Sequence, residues 1–314
     1  MKNHIDLILT ISKLKEDNLF HIFLIPNQTS LIITKLIITL LNLKQDDFIL
    51  IPLRNTDTSI IKGSSLIFNT SIKTKILARF FNYSLITEKI KCYIKKKNRP
   101  FILYTSWAYF GSITTPSVES ILDTQLCKGH FYIEEGQLSY RLTQPYSKNI
   151  KKINRTTYAM DSKYIFRNDS LGFIGILDDA FPSAKSEKKF VLKNYDILKE
   201  FYKPKIKGLK TIGLTCAERR LKNNEWKPMI ARLVEKMPEG GLIKLHPSFS
   251  ASKKKRKKIE SFLKHNYKFI ALCSDDVIIE LEMLYEKKKL IGSLTSLNRY
   301  ADAFGSEFIK VDLY

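Results

Sequence analysis

The chain reads as an α/β protein built from two Rossmann-like domains facing a central cleft, and three observations carry that reading. Short apolar runs of strand length alternate with helical stretches through both halves. The rhythm breaks once, between about residues 141 and 205, and restarts near Lys210. Three short segments with chemistry-bearing side chains each follow an apolar run, and ligands of parallel sheets sit at the carboxyl ends of the strands.

Taken in order, residues 20–26 predict a buried strand. It closes on Asn27-Gln28-Thr29-Ser30, a turn with a helix-capping signature, and residues 31–43 predict the helix that follows. Residues 47–52 and 65–69 have strand length, 74–81 has helical spacing, and 101–105 and 130–133 are two further strands ending in polar or acidic residues. The middle carries basic and Ser/Asn-rich pieces, then the stretch 177–184 and a helical one at 194–202; Pro204 and Gly208 punctuate its end. That places the domains at 1–190 and 205–314. In the second, 211–214 predicts a strand, 224–235 an amphipathic helix, and 241–245 a strand stopped by His246-Pro247. A basic helix at 254–264, a strand at 268–272, a helix at 277–284 and strands at 290–292 and 308–311 complete it.

Composition narrows the function classes. A chain of 314 residues, 44% hydrophobic, has room for two domains with real cores, and sparse Pro and Gly argue against disorder. No run approaches the ~20 apolar residues of a membrane span. The nearest, at 31–43, is short and carries Lys35, and early charges at Lys13, Lys15, Glu16 and Asp17 do not suit a signal peptide. A cytoplasmic protein is expected. Fifty-three Lys and Arg against 31 Asp and Glu leave a net charge of +22, which attracts nucleic acid, anionic lipid or acidic polysaccharide. Part of that excess reflects a composition dominated by Lys, Ile and Asn. A nucleic-acid-binding protein is the alternative of another class, but no zinc finger, RNA-binding aromatic motif or helix-turn-helix accompanies the charge, so no nucleic acid partner is expected. Cys92, Cys127, Cys216 and Cys273 form no C-x-x-C pair, and no two histidines share a helix face, so no metal site is expected.

Three segments carry chemistry. In Tyr132-Ile133-Glu134-Glu135-Gly136 a strand ends, two carboxylates follow, and a glycine allows a sharp turn. A carboxylate there can serve as a general base, although alone the segment reads as a solvated acidic turn. In Lys244-Leu245-His246-Pro247 a histidine emerges from a buried strand, where it can bond to a phosphate; alone it reads as a satisfied histidine. In Ile291-Gly292-Ser293-Leu294-Thr295-Ser296 a glycine turn leads to hydroxyl residues at a helix start, which suits a phosphate or an ordinary N-cap.

In order and context, the three resemble the motifs of the bacterial sialyltransferases: lipooligosaccharide sialyltransferases, polysialyltransferases and multifunctional soluble sialyltransferases. That family shares an acidic-acidic-Gly motif, a later His-Pro motif and a still later hydroxyl pair. Here they are Glu134-Glu135-Gly136, His246-Pro247 and Thr295-Ser296, with Thr295 standing where the first Ser is usual. The resemblance covers these short segments. It implies the GT-B fold, a CMP-sialic acid donor, inversion at the anomeric carbon, no metal and no other cofactor. It implies Glu135 as general base with Glu134 as fallback, and His246 as the group that assists departure of CMP. Pro247, Ser293, Thr295, Ser296 and Gly136 fall in the donor-side motifs and their supports, and Glu280 is the implied ribose ligand, with Glu282 close by. Transfer of another CMP-activated nonulosonate or of Kdo fits the same motifs.

Other residues are weaker candidates. Thr215 and Cys216 follow a strand and can line the nucleotide site; Arg219 and Arg220 read as charge there or as solvated helix residues. Tyr104, Ser106 and Trp107 follow a strand of the first half and suit an acceptor sugar, with core packing as the competing reading for Trp107. The basic tract at 253–258, with Lys95-Lys96-Lys97 and Lys287-Lys288-Lys289, suits a peripheral contact with an anionic membrane carrying a lipid-linked glycan acceptor, or a plain solvated face.

Overall fold

The computed structural model describes residues 1–16, 18–53, 56, 58–63, 77–106, 120–142, 144–146, 165–208, 211–221, 225–250 and 252–313. The chain divides into two compact units, Met1–Leu198 and Lys199–Tyr314.

The first unit is built on a parallel sheet. Its strands are β1 (Phe20–Ile25), β2 (Phe48–Pro52), β3 (Phe101–Thr105), β4 (Cys127–Ile133), β7 (Gly172–Gly175) and β8 (Lys189–Val191), in the order β2-β1-β3-β4-β7-β8. A separate parallel pair joins β5 (Gln144–Tyr146) to β6 (Ile165–Arg167). Helices α1 (His4–Ser12), α2 (Gln28–Leu40) and α3 (Leu77–Lys97) belong to this unit. Every residue of β1 and β3 is buried, as expected where both faces of a parallel sheet are covered, and this makes such strands visible as unbroken apolar runs. On one face Phe23, Tyr104 and Phe131 stack across three neighbouring strands, with ring centroids 4.4 and 5.5 Å apart. His21 shares that face. Its Nδ1 lies 3.0 Å from the Tyr104 hydroxyl, and burial lowers its pKa to about 4, so the imidazole is neutral. The other face packs Phe20, Ile22, Leu24, Leu103 and Tyr132 against Ile90 and Ile94 of α3.

Several elements depart from the sequence reading. Helix α1 was not foreseen, although Asn3 and Asp6 form a capping box. Strand β4 starts at Cys127, earlier than the expected 130, because an irregular register next to β3 absorbs the extra residue. Residues 177–184 are a series of turns that buries Leu177, Ala180 and Phe181, and the sheet is continued on either side of them by the short β7 and β8, which the sequence reading did not mark. The strand expected at 65–69 and the start of the helix expected at 74–81 lie outside the described residues; α3 takes up the rest.

The second unit has a parallel sheet of β9 (Thr211–Leu214), β10 (Gly241–Lys244), β11 (Ile270–Leu272), β12 (Lys289–Gly292) and β13 (Glu307–Lys310), in the order β11-β10-β9-β12-β13. Counted within the unit this is 3-2-1-4-5, the doubly wound arrangement, with its topological switch point between β9 and β12. Helices α5 (Trp226–Glu235), α6 (Pro247–Ser250), α7 (Lys253–Asn266), α8 (Ile279–Tyr285) and α9 (Ser296–Ala303) accompany it, and α4 (Tyr195–Phe201) precedes it. Gly292 permits the close approach of β12 to β9: a Cβ there would lie 2.9 Å from both the Cβ and the carbonyl oxygen of Leu214.

One buried network ties the chain before β9 to α8. The Glu282 carboxylate accepts from the Tyr202 hydroxyl (2.6 Å), Lys205 N (2.8 Å) and Ile206 N (3.1 Å), and the Tyr202 oxygen accepts from Ile278 N (3.2 Å). Lys288 reinforces it, donating to Ile206 O (3.0 Å) and pairing with Glu286 (2.8 Å). Lys288 is thus a buried structural cation, which removes it from the basic surface read from Lys287-Lys288-Lys289.

Candidate functional site

The acidic motif occupies the carboxyl end of β4. Glu134 N continues the ladder to Ile174 O at 3.0 Å. Gly136, at φ 96°, reverses the chain into the turn Gln137–Tyr140. That turn brings Tyr140 back, so that its hydroxyl donates to the Glu134 carboxylate, which also accepts from Ile176 N at 2.9 Å. Glu134 has no exposed surface. Its carboxylate clamps the turn to the loop after β7.

Glu135 is held differently. Its N–H donates to Ser139 Oγ at 3.0 Å, and its carbonyl accepts from Asn27 Nδ2 at 2.5 Å. Asn27 sits at the carboxyl end of β1 and caps α2, accepting from Ser30 N at 3.1 Å through Oδ1. The sheet order places the switch point of this unit between β1 and β3, flanked by Asn27 on one side and the buried Ser106 on the other. Asn27 was legible as a cap; its link to Glu135 was not.

Tyr104 is corrected. Its side chain is wholly buried in the ring stack beneath the strand end, where no acceptor sugar reaches it. Ser106 is likewise wholly buried. Trp107 lies outside the described residues.

In the second unit the strand order gathers the donor-side candidates. Thr215 follows β9, His246 follows β10, and the segment Ser293–Ser296 follows β12, at the carboxyl ends of three adjacent parallel strands. Thr215 is buried and works on its neighbour: its Oγ1 accepts from His246 N at 2.7 Å, while its own N–H donates to Lys244 O at 3.2 Å. This fixes the backbone of His246, whose side chain is exposed. Pro247 opens α6, the helix position where a missing N–H costs nothing, and Phe249 N returns to His246 O at 2.8 Å. Ser293 is buried. Thr295 is the N-cap of α9, its Oγ1 accepting from Leu297 N at 3.2 Å, which leaves its O–H to donate; Ser296 is the first helical residue. The Ser296 N–H at the helix start and the two hydroxyls suit an anion at the switch point.

The ribose candidates separate. Glu282 is spent on the buried network, whereas Glu280 is partly exposed. The charge of Glu280 also acts on Lys244 at the end of β10: burial lowers the Lys244 pKa, and Cys273, Asp275 and Glu280 oppose that shift. Lys244 Nζ donates to Ser274 O (2.8 Å) and Asp275 O (2.9 Å). Cys216 is corrected from nucleotide lining to core: it is buried, with its Sγ 3.8 Å from Met229 Sδ. Arg220 is exposed, and the side chain of Arg219 lies outside the described residues. Among the described residues no group of three or more His, Cys, Asp or Glu is arranged to hold a metal ion.

No protein-family model and no curated protein matches the chain. Solved structures do. The S. aureus MnaA–UDP structure is similar at 14% identity with a TM-score of 0.54, over 93% of this chain and 79% of that one. The UDP-GlcNAc 2-epimerase from Neisseria meningitidis bound to UDP-GlcNAc is similar at 12% identity with a TM-score of 0.51, over 93% and 82%. These likenesses show the fold: α/β, with two parallel-sheet Rossmann-like domains of the GT-B type.

Proposed function

We propose that the chain is a sugar-nucleotide-processing enzyme: an inverting, metal-independent glycosyltransferase that moves sialic acid from CMP-sialic acid to a hydroxyl of a cell-surface glycan. The observation that carries this is the gathering of His246, Thr215 and Ser293–Ser296 on three adjacent strand ends flanking the switch point of the second unit. In this reading Glu135 takes the proton of the acceptor hydroxyl, whose oxygen forms the new bond to the anomeric carbon. The bond from that carbon to the CMP phosphate oxygen breaks, and its electron pair leaves on the phosphate. His246, the Thr295 and Ser296 hydroxyls and the Ser296 N–H meet the charge that develops there. Glu280 holds the ribose.

The second reading is a UDP-sugar enzyme, favoured by the UDP and UDP-GlcNAc found in the similar structures. Calorimetry in EDTA with CMP and with UDP separates the two. CMP is expected to bind without metal and more tightly than UDP. A preference for UDP supports the second reading. Salt-sensitive DNA binding without affinity for either nucleotide supports a basic nucleic-acid-binding protein. A donor–acceptor screen read by product NMR then distinguishes sialic acid from another CMP-activated nonulosonate or Kdo.

The reading includes work at the inner face of a bacterial membrane, on a lipid-linked acceptor. Among the described residues no helix is long and apolar enough to cross a membrane. Helix α7 divides its basic residues: Lys255 and Arg256 pair with Glu218 and Asp275, while Lys253, Lys254, Lys257 and Lys258 are exposed. Each exposed Lys near an anionic leaflet contributes about 1 kcal/mol. Replacing those four by Gln is expected to release the protein from phosphatidylserine vesicles in low-salt flotation, with turnover on a soluble acceptor retained. Unchanged flotation would remove α7 from the membrane contact.

A further inference from the structure

We infer that Asn27 is a positioning residue for Glu135, an inference that rests on Glu135 being the general base proposed above. Both polar groups of the Glu135 backbone end on side chains, one from the turn that follows it and one from the end of β1. Its N–H reaches Ser139 Oγ at 3.0 Å and its carbonyl receives Asn27 Nδ2 at 2.5 Å. The preceding residue is fixed as well, through the Glu134 carboxylate on Tyr140 and Ile176 N. With Gly136 turning the chain at φ 96°, the peptide that carries Glu135 has little freedom left. A base must lie within hydrogen-bond reach of the proton it abstracts, so an error of about 1 Å in its placement can cost on the order of 10²-fold.

Asn27 uses both ends of its amide. Oδ1 faces its own helix, accepting from Ser30 N (3.1 Å) and lying 3.3 Å from Ser30 Oγ. Nδ2 faces away, to the loop after β4, although β3 lies between β1 and β4 in the sheet. Asn, Asp, Ser and Thr all serve as N-caps, so capping alone does not require Asn. Among these four only Asn also carries an N–H₂ donor at that length. Asp caps equally well but presents an acceptor to an acceptor. Ser caps but is too short to reach across. The bond to Glu135 therefore separates from the bond to α2 by the choice of substitution.

The test uses the full chain and reads CMP release from CMP-sialic acid, to acceptor or to water, with CMP affinity and thermal stability alongside. Asn27→Ser and Asn27→Asp are expected to melt within a few degrees of the parent and to bind CMP as the parent does. Their turnover is expected to fall about 10- to 100-fold, with the acidic limb of the pH–rate profile displaced because the base sits in altered surroundings. Asn27→Ala loses cap and tether together and is expected to be less stable than either. Parent-like turnover of Asn27→Ser and Asn27→Asp, in a background where Glu135→Gln is inactive, would overturn the inference and leave the reaction standing. Lower turnover with an unshifted pH profile would also overturn it, since that is what loss of folded protein gives. An active Glu135→Gln, or a parent that releases no CMP, would instead overturn the reaction and the inference with it.

Discussion

Glu135→Gln lowers turnover of CMP-sialic acid by about 10²–10⁴-fold while CMP still binds; that is the expected result when an amide replaces a positioned general base. The exchange keeps shape and volume, so the backbone bonds to Ser139 and Asn27 persist and the loop stays in place. Glu134→Gln is the matched control. Its amide oxygen can still accept from Ile176 N, and its N–H₂ can donate to a Tyr140 hydroxyl that now accepts, so the clamp survives in neutral form. This variant should be the milder of the two in rate. The measurement is single-turnover transfer with calorimetric CMP affinity on both variants. A Glu135→Gln protein at parental rate beside an inactive Glu134→Gln would reverse the assignment within the pair.

His246→Ala is expected to fail in two respects at once. Transfer falls by ~10²–10³, the usual effect of removing one donor to a charge that develops in the transition state. CMP affinity is expected to fall as well, because in the proposed reaction the same imidazole touches the phosphate before the bond breaks, and a hydrogen bond to a charged group contributes about 1.5–3 kcal/mol. The backbone should hold, since Thr215 Oγ1 grips the amide of residue 246 and not its side chain. Binding therefore separates the two sites: parental in Glu135→Gln, weakened in His246→Ala. An alanine variant that binds CMP as tightly as the parent would remove His246 from the phosphate.

The strands of both sheets were legible where they are long or buried on both faces. Residues 20–25 and 101–105 show as unbroken apolar runs because helices cover them on each side. The short β7 and β8 were not legible: Gly172-Phe173-Ile174-Gly175 and Lys189-Phe190-Val191 carry too few residues to show a period. Glycines begin and end the first, and a partly exposed lysine opens the second. For the candidate site, the sequence marks strand ends but not strand order. That Thr215, His246 and Thr295 follow neighbouring strands is a property of the 3-2-1-4-5 arrangement, which no local pattern encodes. The Asn27–Glu135 bond joins residues 108 positions apart and had no local signal. Lys288 misled because its ion pair and its carbonyl partner come from the fold; in the sequence it is one lysine of three. Tyr104 misled because an aromatic at a strand end looks the same whether its ring points outward or into a stack.

The Glu282 network decides where the molecule can be cut. Composition places the start of the second domain near residue 205, but a polypeptide begun at Lys205 would leave Tyr202 behind. Glu282 would then keep its two backbone donors and lose its hydroxyl donor, and Ile278 N would lose its acceptor. The Tyr285 hydroxyl would lose the carbonyls of Lys199 and Tyr202 as well. The stranded Ile278 N is buried and alone costs about 1–3 kcal/mol, a large share of what a small domain has to spare. The half-dozen residues from Lys199 onward therefore belong with the second unit, through the buried Tyr202 and the carbonyls of Lys199 and Tyr202, and a fragment that is to fold alone has to carry them.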